Sequence, residues 1–171
     1  MVEYQHKNQP YVRSVFIIIG KGDCYMVTAL RGDYIGNRSW FQAVTGGRDW
    51  VLRHTSALEC LGLFVGYLNE QLIEVYAKEP CEYENVDYRI VDTFENLSIV
   101  VHNNIHSTCV NQTINDMLSD FDNIDEQALV EALATYYYLH NDSFDCLVIE
   151  PENQDVFDSI KDWAIDYYNE E

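Results

Sequence analysis

The stretch SALECLGLFVGYLNEQLIEVYA, residues 56–77, decides how the rest of the chain is read. Ser56 and Glu59 stand at the capping-box spacing of a helix start. Leu58, Leu61, Phe64 (or Val65), Leu68, Leu72, Val75 and Tyr76 then recur at helical spacing. The middle, Leu61 to Leu68, is apolar nearly all round, which predicts a long central helix, Ser56 to Ala77, buried on more than one side. On that reading Gly62 and Gly66 allow close packing against the helix.

Working outward, the preceding residues read as sheet. Val12 to Ile19 and Cys24 to Leu30 flank the turn Gly20-Lys21-Gly22-Asp23 and predict a hairpin. Gly32 to Arg38 reads as a loop, and Trp40 to Val44 as a short third strand ended by Gly46-Gly47. Pro80 and the acidic stretch Cys81 to Asp87 mark a boundary. It separates a strand-and-helix subdomain, residues 1–80, from an acidic α/β subdomain, residues 81–171, the two forming one compact domain. Beyond it, Tyr88 to Phe94 and Leu97 to His102 alternate like strands, with Glu95-Asn96 as a two-residue hairpin loop. Asn103 to Cys109 reads as a loop and Asn111 to Asp120 as a short helix. Asp125 to His140 reads as a longer helix, with Asp125 as cap and Ala128, Leu129, Leu133 and Tyr136 inward. Phe144 to Ile149 is a predicted strand and Asp155 to Asn169 the closing helix. The class this implies is α+β: a mainly antiparallel sheet, a long central helix and an acidic helical C-terminal half.

Composition narrows the function. The chain has 171 residues, 47% apolar and 13% aromatic, enough to bury a core and too apolar for disorder as the main state. Its 29 acidic and 10 basic residues give a net charge of −19. Residues 1–80 hold eight of each and are neutral, so the whole net charge lies in residues 81–171, where only Arg89 and Lys161 are basic. Direct binding to nucleic acid or to an anionic membrane is disfavoured by that balance. No apolar run approaches the ~20 residues that span a bilayer. Met1 to Pro10 is polar, and the five cysteines (Cys24, Cys60, Cys81, Cys109, Cys146) are scattered with no CxxC pair. A cytoplasmic protein with reduced thiols is the expectation.

The last predicted helix carries the clearest pattern. Val156, Ile160, Trp163 and Tyr167, with Phe157, Ala164 and Tyr168, read as its apolar face. Asp155, Asp158, Asp162 and Asp166 recur on another face, interrupted by Lys161. At ~1.5 Å per residue such carboxylates stand ~4.5–6 Å apart along the axis, near the spacing of phosphates in a nucleic-acid strand. Asp116, Asp120, Asp122, Asp125 and Glu126 extend the acidity. Tyr137, Trp163 and Tyr168 are the aromatics suited to an interface.

The other constellations are weaker. Asp120 to Glu126 is similar to a calcium loop but lacks the glycine at the sixth position, and the residue at the twelfth, Glu131, falls one turn into the next predicted helix. His102, His106 and Cys109 supply three possible zinc ligands without a fourth. Strand, loop, strand and Gly46-Gly47 before a helix resembles the opening of a Nudix hydrolase. That family binds magnesium through glutamates on the helix, whereas Leu61 to Gly66 has no carboxylate, so the resemblance implies a catalytically dead relative.

No metal and no cofactor is expected, and the balance leans against an enzyme. The leading expectation is an acidic protein-binding inhibitor of the phage or mobile-element anti-defence kind. Its carboxylates would occupy the basic surface of a nucleic-acid-processing or defence protein in place of phosphates. The alternatives are a small-molecule or nucleotide-binding protein, and a homo-oligomeric assembly protein; a homodimer is compatible with each.

Overall fold

The computed structural model describes residues 38–45, 47–65, 72–80, 85–102 and 104–168. The elements are α1 (Arg38–Thr45), β1 (Trp50–Leu52), α2 (His54–Leu61), β2 (Ile73–Ala77), β3 (Val86–Ile90), β4 (Ile99–His102), β5 (Ile105–Thr108), α3 (Val110–Ser119), α4 (Glu126–Leu139) and α5 (Gln154–Asp166). The fold is α+β. The predicted hairpin Val12–Ile19/Cys24–Leu30 lies outside the described residues.

The stretch from Ser56 to Ala77 does not form one helix. Helix α2 stops at Leu61, and the chain re-enters the sheet as β2 by Ile73. Gly62 is the reason for the stop. It adopts the left-handed conformation, φ 78°, and its N–H bonds to the Glu59 carbonyl. The Leu63 N–H bonds to the Leu58 carbonyl at 2.9 Å, completing a Schellman cap, with Leu58 and Leu63 both buried. Ser56 is not the N-cap either. It lies inside α2 and its hydroxyl accepts the Glu74 N–H at 3.0 Å, tying helix to strand. In β2, Ile73, Val75 and Ala77 are buried while Glu74 and Tyr76 alternate with them, the two-residue period of a strand.

The five strands run in the order β3-β2-β1-β5-β4. The sheet is mixed: β1 pairs antiparallel with β2 and parallel with β5, β2 pairs parallel with β3, and β4 pairs antiparallel with β5. Strands β3 and β4 therefore stand on opposite edges, and Glu95-Asn96 is not a hairpin turn. The predicted loop Asn103–Cys109 contains β5 instead. Trp40–Val44 lies within helix α1, so the strand in the Nudix-like opening is a helix.

Two apolar clusters hold the layers. Phe41 and Val44 of α1 and Ala57 of α2 pack with Trp50, Leu52, Ile73, Val75, Ala77 and Ile105 on the sheet. Leu58 of α2 joins Ile114, Met117, Leu129, Leu133, Tyr136, Phe157, Ile160 and Ala164 in a helical core. Helix α4 follows the sequence reading, with the Asp125 carboxylate accepting the Ala128 N–H at 3.0 Å. Phe144–Ile149 forms no strand. Its backbone is satisfied by side chains of α3: Val148 O accepts from Asn115 Nδ2 at 2.8 Å, and the Glu150 N–H donates to Asn115 Oδ1 at 2.8 Å. A strand partner is thereby replaced by an asparagine. Among the described residues no helix is long and apolar enough to cross a membrane.

Candidate functional site

Strand register builds the site. Glu74 stands opposite Asp87 and Tyr76 opposite Arg89 in the parallel β2–β3 pair, which sets all four side chains on one face of the sheet. The β1–α2 junction brings Arg53 and His54 over that face, and the last turns of α3 bring Asp116, Ser119 and Asp120. Together Arg53, His54, Tyr76, Arg89, Asp116, Ser119 and Asp120 line a cleft of 290 Å³, at the small end of the range for ligand pockets.

His54 is the most constrained residue in it. Its backbone φ is +44°, a left-handed conformation that L side chains disfavour and that concentrates at functional sites. The ring is buried, with Nδ1 3.3 Å from Glu74 Oε1. Thr55 donates both its N–H, at 3.0 Å, and its hydroxyl to Glu74 Oε2. Burial pushes the Glu74 carboxyl up, but the hydrogen bonds from His54 and Thr55 and the charges of His54 and Arg53 outweigh it and hold the group below its ordinary value.

Arg53 spans the site. Its Nη2 bonds to Asp87 at 2.7 Å, and its Nη1 lies 3.3 and 3.1 Å from the two ring nitrogens of His54. Its charge sits 5.7 Å from the centre of the Tyr76 ring. The Arg53 Nε is buried and has no hydrogen-bond partner. Arg89 is exposed and makes no ion pair among the described residues. Tyr76 donates to Asp116 Oδ2 at 2.9 Å. Burial, then the charge and hydrogen bond of Asp116, push the Tyr76 hydroxyl up to about 12. Burial likewise raises Asp116, against the hydrogen bond from Tyr76 and the charges of His54 and Arg53. Two groups that line the cleft, Tyr76 and Asp116, thus have displaced titrations, which makes the cleft the candidate site.

The residues proposed from sequence as one acidic face have different fates. Asp116 and Asp120 line the cleft, and Asp125 caps α4. Asp122 and Glu126 are exposed, as are Asp155, Asp158, Asp162 and Asp166 along α5. Lys161 pairs with Asp158 at 2.6 Å and holds its carboxyl below the ordinary value. Trp163 is not on the apolar face of α5: Phe157, Ile160 and Ala164 are buried, while Trp163 is 60% exposed. Tyr168 is also exposed and bonds to the Thr135 hydroxyl at 2.9 Å. Tyr137 is half-buried, with its ring 4.9 Å from that of Phe144. Among the described residues no group of three or more His, Cys, Asp or Glu side chains is placed to hold a metal ion.

Sequence reasoning missed Arg53, His54, Glu74, Tyr76 and Arg89 because they come from three separate segments. Two signals were present. Ile73-Glu74-Val75-Tyr76-Ala77 also has a two-residue period that puts Glu74 and Tyr76 together, and Arg89 is one of only two bases in an otherwise acidic half. No protein-family model matches the chain, and no curated protein matches it significantly.

Proposed function

We propose that the chain binds a small molecule carrying a phosphate group and hydroxyl or amino donors, of the nucleotide or sugar-phosphate class. The observation that carries this reading is the pairing of two guanidinium groups, one of them without an ion-pair partner among the described residues, with the acceptors Asp116 and Asp120 in one cleft. Arginine forks match phosphate oxygens, and the aspartates accept from hydroxyl or amino groups. The test is an NMR titration with mononucleotides, cyclic mononucleotides, sugar phosphates and inorganic phosphate. The expected result is saturable shifts at Tyr76 and Arg89. Arg89→Ala should weaken binding roughly ten- to a hundredfold, the worth of one charged hydrogen bond at about 1.5–3 kcal/mol. Absence of any shift at millimolar ligand overturns the reading.

A second reading rests on α5, where exposed Trp163 stands among the exposed carboxylates of Asp158, Asp162 and Asp166. An aromatic anchor in an acidic field suits a basic protein surface, such as that of a nucleic-acid-binding enzyme. Binding by that surface would weaken as salt rises to ~0.5 M, where screening shortens to a few Å, and would be lost in Trp163→Ala. A partner that binds equally well to Trp163→Ala, or equally at both salt levels, excludes it.

A further inference from the structure

We propose that the cleft hydrolyses small phosphodiesters, with His54 as general base and Glu74 as the positioning residue that orients it. The inference rests on the cleft being a phosphate-binding site and adds a reaction to it. A carboxylate only accepts, so Glu74 Oε1, 3.3 Å from Nδ1, fixes the imidazole tautomer with its proton on Nδ1. The basic lone pair is then on Nε2. The Thr55 N–H and hydroxyl lock the second oxygen of Glu74, so the carboxylate cannot swing away from the ring. His54 lines the cleft with its backbone in the left-handed region, φ +44°, the kind of strained conformation that clusters at functional sites.

Arg53 connects binding to this base. Its Nη1 lies 3.3 Å from Nδ1 and 3.1 Å from Nε2, so the guanidinium sits beside the ring and off the axis of the Nε2 lone pair. Arg53 also leaves its buried Nε without a partner. Phosphate oxygens satisfy a guanidinium better than a ring nitrogen does. A phosphodiester held between Arg53 and Arg89 is therefore held next to the imidazole, with the Nε2 lone pair open to a water molecule. In the reaction the water oxygen bonds to phosphorus, and one water proton passes to Nε2. The bond from phosphorus to the leaving oxygen breaks, and the alcohol leaves with that electron pair. His54 then returns its proton to solvent or to the leaving oxygen, so one water is consumed and a monoester and an alcohol are formed.

Charge selects the substrate. Arg53 and Arg89 are matched by Asp116 and Asp120 in the lining, so the site suits a diester with one negative charge better than a dianionic monoester. The net charge of −19 repels long nucleic acids, leaving cyclic nucleotides and other small diesters as the class.

The experiment uses bis(p-nitrophenyl) phosphate as substrate and dimethyl phosphate, which resists hydrolysis, as the binding probe. Wild type is expected to release p-nitrophenolate. His54→Ala should lose roughly 10²–10⁴-fold in rate, with partial restoration by added imidazole, which a misfolded variant would not show. Glu74→Gln should lower kcat with little change in KM, because the residue orients the base without touching the diester. His54→Gln, which keeps a hydrogen-bonding side chain in place, should be as slow as His54→Ala. Hydrolysis that survives in both His54 variants overturns the proposal. Dimethyl phosphate shifts at Tyr76 and Arg89 without any hydrolysis overturn the reaction and leave the binding site standing. Neither shifts nor hydrolysis overturns both.

Discussion

Tyr76 is the residue whose titration reports the cleft most directly. Its hydroxyl is pushed up from 10.0 to about 12 by burial and by Asp116. The folded state therefore keeps this proton while the unfolded chain releases it. The stabilisation is complete below pH 10 and is lost as pH rises to about 12. Wild type should lose stability across that interval more steeply than Tyr76→Phe, as read by urea melts at stepped pH. Glu74 has the opposite sign. Its carboxyl lies below the ordinary 4.5, so its contribution is present above that pH and lost on acidification through the folded value. The stability gap between wild type and Glu74→Gln should be full at neutral pH and should close as pH falls below 4.5. A gap that stays constant in acid would mean that the contribution of Glu74 is packing and not charge.

At the scale of elements, Gly62 distinguishes the helix the sequence suggests from the cap the chain forms. In a helix interior, Gly→Ala stabilises by roughly 0.5–1 kcal/mol. At a left-handed cap, φ 78°, alanine is strained, and Gly62→Ala should destabilise by about 1 kcal/mol. The sign of the shift in a urea midpoint is the measurement. Asp125 is the complementary case, legible in sequence as an N-cap and found as one. Asp125→Ala should cost about 1 kcal/mol.

For the whole molecule, charge dominates. With a net charge of −19 and few ion pairs among the described residues, folding gathers mutually repelling carboxylates. Raising salt from ~10 to ~150 mM shortens the screening length from ~30 to ~8 Å, so the melting temperature should rise with salt and level off. A melting temperature that falls would show that the attractive pairs outweigh the repulsion. The division of labour between sequence and tertiary structure follows the range of the forces. Sequence alone determined the α+β class, helices α3, α4 and α5, the Asp125 cap and the acidity of the second half, because helical period, capping and charge act within a few residues. It also carried the Ile73–Ala77 strand, but the same apolar residues satisfied a helical period, and only pairing with β1 and β3 broke the tie. The order of the strands, the switch of β4 to the far edge and the replacement of a strand by the Asn115 bridge depend on partners 18 to 55 residues away. The cleft is the extreme case: Arg53, Glu74, Arg89 and Asp116 carry no shared spacing, and they meet because parallel register and helix packing bring four separate segments to one sheet face.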